Sequence, residues 1–264
     1  MRKTAIGILV LGLASLVLSA PVSAVTLVSE GFPYANGGLV ANSGGNWTNH
    51  SGAGTDITMV SGRAVVNMAN APDDNRTFTA QSATTPIYTC FEVTVPDPGG
   101  VPRLAYFEHL KDTGTTNFVT RVYVAPLDFT APADSGWTFA LSHSSTSGTV
   151  GVVNWSSTSL VYGQNYRIVT KYDPATTSSK LWVDPVSEAS TSVSQAGTAA
   201  NVMSAVALRQ SNASGTLPTG TPLGNTNTAP SVDNMGIGTT FDDACYQITP
   251  TRGATWGQVK SIYR

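Results

Sequence analysis

The sequence predicts an all-β protein, a two-sheet antiparallel sandwich, and three observations predict it. Apolar and polar residues alternate with a period of two in short runs along most of the chain. Gly, Pro, Asn and Ser, the residues that close turns, separate those runs. Helix-period patterns are nearly absent before the C-terminus. About a dozen strands at such spacing form either a sandwich or a closed barrel.

The chain opens on a secretory leader over residues 1–24. Arg2 and Lys3 form its basic start, residues 5–18 its apolar run, and Val22-Ser23-Ala24 its small-residue cleavage site. The apolar run is short for a membrane span, and no later stretch is apolar enough to be one. Cleavage after Ala24 leaves 240 of the 264 residues, enough to bury one sizeable core. Without Arg2 and Lys3 the 14 basic residues become 12 against 16 acidic ones, a formal charge of −4. That balance excludes nucleic acid as a partner, which needs a basic footprint. The expected setting is secreted, extracellular or at the cell surface.

Predicted strands then follow in order. Residues 26–32 precede a glycine-rich excursion over 34–55. Residues 57–60 and 63–68 pair across Ser61-Gly62, and 87–95 alternates Thr89, Phe91, Val93 and Val95 with Tyr88, Cys90, Glu92 and Thr94. Residues 103–110 and 117–125 form a hairpin, and 137–142 and 149–155 come next. The best-patterned pair lies in 164–185. Tyr166, Ile168, Leu181 and Val183 form its apolar face, and Arg167, Val169, Lys171 and Trp182 form a cationic and aromatic one. Strands at 203–210 and 231–238 close the domain, which we bound at 25–248. The tail, 249–264, holds Thr255 and Gln258 at capping-box spacing. It reads as a short docked helix, a sorting or attachment segment, or disordered chain.

Two cysteines, Cys90 and Cys245, permit one disulfide in an oxidising compartment. Residues so distant in sequence can equally lie too far apart to bridge.

Catalytic signals are sparse. Glycoside hydrolysis needs two facing carboxyl groups, yet Glu92 and Glu108 stand singly on predicted strands. Asp73-Asp74 and Asp242-Asp243 fall in expected loops. No Gly-x-Ser-x-Gly elbow occurs. His50, His109 and His143 lack partners at metal-ligand spacing, and His109 reads as a half-buried histidine bonded to a carboxylate or backbone. No cofactor is implied, although calcium is possible, with Asp112, Asn117, Asp242 and Asp243 as weak oxygen ligands. Aromatic rings are the usual platform for a pyranose. Trp182, with Arg167 and Lys171 beside it, and the loop residues Trp47 and Trp155 are therefore the candidate ligand-binding set.

The stretches SEGFPY…NWTNHSGAGT, YFEHLKDTGTTNFVTRVYV, YRIVTKYDPATTSSKLWVDP, VALRQS and VDNMGIGTTFDDA occur in this order over nearly all of 25–245. Together they resemble the concanavalin A-like (LamG-like) jelly-roll domains of secreted bacterial proteins. The resemblance implies two antiparallel sheets of about six or seven strands, one flat and one concave. It groups the chain with lectins, adhesion modules and glycosidases, but no strand here matches the glycosidase carboxylate motif. The expected function is a non-catalytic carbohydrate-binding or adhesion module for a glycan or surface polymer. The alternatives are a structural matrix protein without a small ligand and a divergent glycoside hydrolase. Nothing in the sequence specifies an oligomeric state.

Overall fold

The computed structural model describes residues 24–68, 72–102, 104–131, 136–143, 151–197, 201–210 and 228–245. All of the expected leader except Ala24, and the whole 249–264 tail, lie outside the described residues.

In chain order the elements are β1 (Thr26–Glu30), β2 (Gly37–Gly38), α1 (Leu39–Asn42), β3 (Thr48–Ser51), β4 (Thr58–Val60), β5 (Arg63–Val65) and β6 (Asp73–Thr77). There follow β7 (Ile87–Thr94), β8 (Ala105–Lys111), β9 (Phe118–Pro126), β10 (Trp137–Ser142), β11 (Val153–Asn154), β12 (Asn165–Asp173) and β13 (Ser178–Val183). The last are β14 (Val193–Ala196), β15 (Ala205–Arg209), β16 (Ser231–Gly238) and α2 (Phe241–Cys245). A nine-stranded sheet runs β14-β13-β12-β7-β16-β5-β4-β2, with β1 also paired to β16. A seven-stranded sheet runs β11-β10-β9-β8-β15-β6-β3. Strands distant in sequence lie side by side, β7 between β12 and β16 and β15 between β8 and β6, so the chain crosses repeatedly between the layers. Among the described residues no helix is long and apolar enough to cross a membrane.

The core lies between the sheets. Phe91, Tyr166, Ile168 and Leu181 meet Phe107, Val122, Phe139 and Leu208. Phe91 and Phe107 contact edge to face with centroids 6.1 Å apart, a preferred aromatic geometry. The expected hairpin forms as β12 and β13, with Ile168 opposite Val183 and Val169 opposite Trp182. Asp173 Oδ1 accepts the N–H groups of Ala175 and Thr176 at 3.1 and 3.3 Å, which closes the turn after Asp173-Pro174.

Three regions differ from expectation. The excursion over 34–55 contains β2, α1 and β3. Asp73 and Asp74 lie on β6 and are buried. Asp242 and Asp243 lie in α2, where Asp243 N–H donates to Thr240 Oγ1 and the Thr240 hydroxyl donates to the Asp243 carboxylate, a reciprocal cap.

One irregularity positions the rest. The β8–β9 register shifts on both sides of Glu108, and Thr120 in β9 has φ 52. The extra residue lets Phe107 and Leu110 both enter the core, while Tyr106 and His109 meet on the opposite face with rings 5.4 Å apart. The Glu108 carboxyl is fully buried, and burial raises its pKa well above the usual carboxylate range.

Candidate ligand-binding face

The cationic and aromatic face of the β12–β13 hairpin is not open. Helix α2 lies across it, with Phe241 edge to face on Trp182 at 5.9 Å and on Tyr88 at 6.4 Å. Cys90 and Cys245 are joined, Cα atoms 5.2 Å apart, which fixes the end of α2 to β7. Gly236 and Gly238 admit the helix, since a Cβ at Gly236 would collide with the Ala244 carbonyl and one at Gly238 with Asp243 Cβ and the Ala244 backbone nitrogen. Trp182 is consequently fully buried, its Nε1–H donating to Ser190 O at 3.1 Å. It belongs to the packing and not to an exposed platform, a correction to the sequence expectation. Lys171 pairs with Glu188 at 3.2 Å and lies 5.1 Å from the Tyr88 ring. Arg167 is exposed and lines a separate depression with Glu92 and Asp184. The three residues therefore do not form one surface.

Trp47 is a second correction. It is fully buried, stacked on Phe32 at 5.7 Å, and its Nε1–H donates to Glu30 Oε2 at 2.9 Å. Glu30 also accepts from Phe32 N–H and the Tyr34 hydroxyl, both at 2.7 Å, and forms an ion pair with Arg76. Burial first, then the Glu30 hydrogen bond, pushes the Tyr34 hydroxyl up to about 12. Trp155 is partly exposed at the edge of the core. Of the calcium candidates, Asp112 accepts Gly114 N–H at 2.7 Å and Asn117 Nδ2 at 2.6 Å, closing the β8–β9 turn. Asp243 caps α2 and Asp242 is exposed. These oxygens are occupied by local structure or scattered, and they do not converge.

A denser constellation lies on the outer face of the seven-stranded sheet. Tyr106 pairs with Tyr123 across β8 and β9, and Arg121 with Ser142 across β9 and β10. His109 stands opposite Ala207, and Arg209 opposite Asp73. The Arg209 guanidinium lies 4.2 Å from the Tyr106 ring and 3.5 Å from Asp73 Oδ2. The Arg121 guanidinium lies 4.8 Å from Tyr106 and 5.4 Å from Phe118. The His109 ring is 4.4 Å from Phe118 and 6.1 Å from His50. Leu104, Ala125, Ala140 and Val152 extend the face as an apolar patch beside the two tyrosines. Toward edge strand β3 it opens, with His50, Ser51 and Arg209 partly exposed and Thr48 exposed.

The electrostatics of this face are cationic. Burial, then the Lys111 charge, lowers His50 to about 4, and burial, then Arg121, holds His109 well below its ordinary value. Both imidazoles are neutral at pH 7. Among the described residues their four ring nitrogens are buried without a hydrogen-bond partner, although a polar group left so costs about 1–3 kcal/mol. Asp73 is raised to about 6 by burial, against the pull of Arg209. Guanidinium groups, imidazole nitrogens and aromatic rings thus converge here.

Sequence reasoning placed His109 alone. Strict alternation from Tyr106 puts Glu108 on the tyrosine's face and His109 on the other. The bulge at Glu108 reverses that order, and nothing in the local composition announces it.

No protein-family model matches the sequence, and no curated protein matches it. Among solved structures the chain is similar to a sialidase at 11% identity and TM-score 0.46, over 81% of this chain and 19% of the sialidase, about a fifth of its length. It is similar to the basic winged bean lectin solved with Tn-antigen at 12% identity and TM-score 0.47, over 82% of this chain and 98% of the lectin. It is also similar to lectin I-B4 from Griffonia simplicifolia, metal-free form, at 11% identity and TM-score 0.46, over 80% and 98%. Two antiparallel sheets, crossover connections and one shared core make the architecture a two-sheet antiparallel jelly-roll sandwich.

Proposed function

We propose that this chain is a secreted, non-catalytic carbohydrate-binding module whose ligand lies on the outer face of the seven-stranded sheet at its partly exposed end, across Thr48, His50, Ser51 and Arg209. One observation carries the reading: where this face opens toward β3 the partly exposed Arg209 guanidinium lies 4.2 Å from the Tyr106 ring, with the partly exposed His50 within range of its charge. A pyranose offers a C–H face to aromatic rings and hydroxyls to the nitrogens between them. The partly exposed Arg209 guanidinium, beside Asp73 at the open end of this face, favours a polysaccharide that bears carboxylates of its own. The Cys90–Cys245 bond and the leader expected over 1–24 support an exported setting.

The test is affinity electrophoresis and calorimetry against uronate-containing and neutral polysaccharides. We expect uronate polymers to bind more tightly and Arg209→Ala and His50→Ala each to weaken binding at least about tenfold, a loss of roughly 1.4 kcal/mol. Binding that ignores both substitutions refutes the site. Release of new chain ends from the bound polymer refutes the non-catalytic reading.

A further inference from the structure

A groove crosses the nine-stranded sheet beside Cys245, the last of the described residues. Two depressions, of about 320 and 240 Å³, share Arg167, Pro185 and Val186 and so run together. Glu92 and Asp184 line one end, and Asp242 and Cys245 the other. The shared wall is firmly held. Asp184, in the left-handed region with φ 48, donates its N–H to Arg167 O and accepts Arg167 N–H on Oδ1, both at 2.7 Å. The N–H groups of Val186 and Ser187 donate to Ser190 Oγ at 3.1 and 3.2 Å. That turn keeps Val186 95% exposed, more than any other large apolar residue among those described. A lone exposed valine is ordinary, but this one is fixed where the two depressions meet.

Charge and chain path favour one occupant. All 16 acidic residues of the sequence fall within 25–245, with 9 of its 14 basic ones, a formal charge of −7. Residues 246–264, outside the described part, hold Arg252, Lys260 and Arg264 and no aspartate or glutamate, a side-chain charge of +3. Among the described residues Glu92, Asp184 and Asp242 form no ion pair. The 246–264 segment leaves from Cys245, which the bond to Cys90 holds in the wall of the groove. Trp256 lies eleven residues beyond that anchor, a reach of up to about 36 Å. A segment tethered so closely acts at an effective concentration of the order of millimolar, so modest contacts suffice. We propose that residues 246–264 dock in this groove, with Trp256 against Pro185 and Val186 and the segment's cations facing Glu92, Asp184 and Asp242. The groove lies on the sheet opposite the carbohydrate face, and the inference does not depend on that reading.

The experiment follows amide hydrogen exchange of 246–264 by mass spectrometry in the 25–264 chain at neutral pH. We expect these amides to exchange at least about tenfold more slowly than in a free peptide of the same sequence. Val186→Lys, which replaces the apolar contact with a like charge, and Trp256→Ala should each remove most of that protection. Asp242→Asn should lower it about twofold, as expected for one exposed ion pair. Positions 186 and 242 are exposed, so both variants keep the fold, which near-ultraviolet circular dichroism checks. Exchange of 246–264 at the free-peptide rate in the wild type overturns the proposal. So does protection that survives Val186→Lys and Asp242→Asn alike, because the segment then lies elsewhere. Protection that grows with protein concentration, together with a dimer in sedimentation, gives the groove to a second copy and also overturns it.

Discussion

Replacing Trp182 with alanine separates packing from ligand contact. The indole is fully buried between Val169 on β12, Phe241 on α2 and the carbonyl of Ser190. A buried tryptophan removes about 150–250 Å² from water, worth roughly 4–6 kcal/mol as an upper figure. Partial collapse of the site reduces that to about 3–5 kcal/mol for Trp→Ala. The Phe241 contact is lost as well, and a helix of five residues has no stability of its own to compensate. In a chain of this length that cost corresponds to a Tm lower by about 6–20 °C. Calorimetry of the wild type and variant measures it, with saccharide binding read well below either melt. We expect a large drop in Tm with binding retained. Arg167→Ala, at an exposed position, should change stability by less than about 0.5 kcal/mol. A Trp182→Ala protein that melts within about 2 °C of wild type but no longer binds saccharide would refute the reasoning, because only a ring facing ligand behaves so.

Other perturbations follow from the same contacts. Replacing Cys90 and Cys245 together opens a covalent link across 155 residues and should cost about 2–5 kcal/mol, seen as a lower urea midpoint that reductant no longer shifts. Glu30→Gln leaves the Arg76 charge facing a neutral amide and weakens the anchor of Trp47 and Tyr34, for a loss of about 3–5 kcal/mol in urea melts. His50 should titrate by NMR with a midpoint near 4 and not near 6.5. An unfolded chain takes up that proton as pH falls below about 6.5, whereas the folded chain does so only near 4. The His50 contribution to stability is therefore full above pH 6.5 and is lost as pH falls toward 4. Lys111, Arg209 and His109 surround the ring and oppose its charge, so His50→Gln should reduce the slope of the urea midpoint over this interval.

The fold was legible because it is written in period two. The β12–β13 register, the pairing of residues 63–65 with 58–60, and the alternation in β7 and β10 all follow from which side chains avoid water. Illegible elements had another physical basis. β6 reads Asp-Asp-Asn-Arg-Thr, a strand with no apolar residue, held by Arg209 and Ser51 on Asp73 and by Asn49 on Asp74. α2 is five residues, invisible to any periodicity, and its seat is marked only by the absence of side chains at Gly236 and Gly238. The hairpin's cationic and aromatic face was read correctly as a face. What covers it is fixed by contacts from β16 and α2, some 50 residues beyond the end of β13, and a local pattern cannot supply that.

The two outer faces are alike in composition, since each presents tyrosine, another aromatic residue and a cation. They differ in how their buried polar groups are satisfied. On the nine-stranded sheet the Trp182 N–H meets Ser190, and the Tyr88 hydroxyl and the Lys171 ammonium both meet Glu188. Burial there is complete in the chain itself, which is what packing requires. On the seven-stranded sheet the nitrogens of His50 and His109 are buried and meet no protein group among the described residues. Glu108 is buried between the sheets without this significance, because a carboxyl can keep its proton and become neutral, as its raised pKa indicates. A neutral imidazole has no such recourse. It always carries one N–H donor and one bare acceptor, and both need partners whatever the pH above its own low pKa. A sugar hydroxyl is donor and acceptor at once and can meet either nitrogen. That asymmetry, and not the count of aromatic residues, is the ground on which we propose a ligand on the seven-stranded sheet.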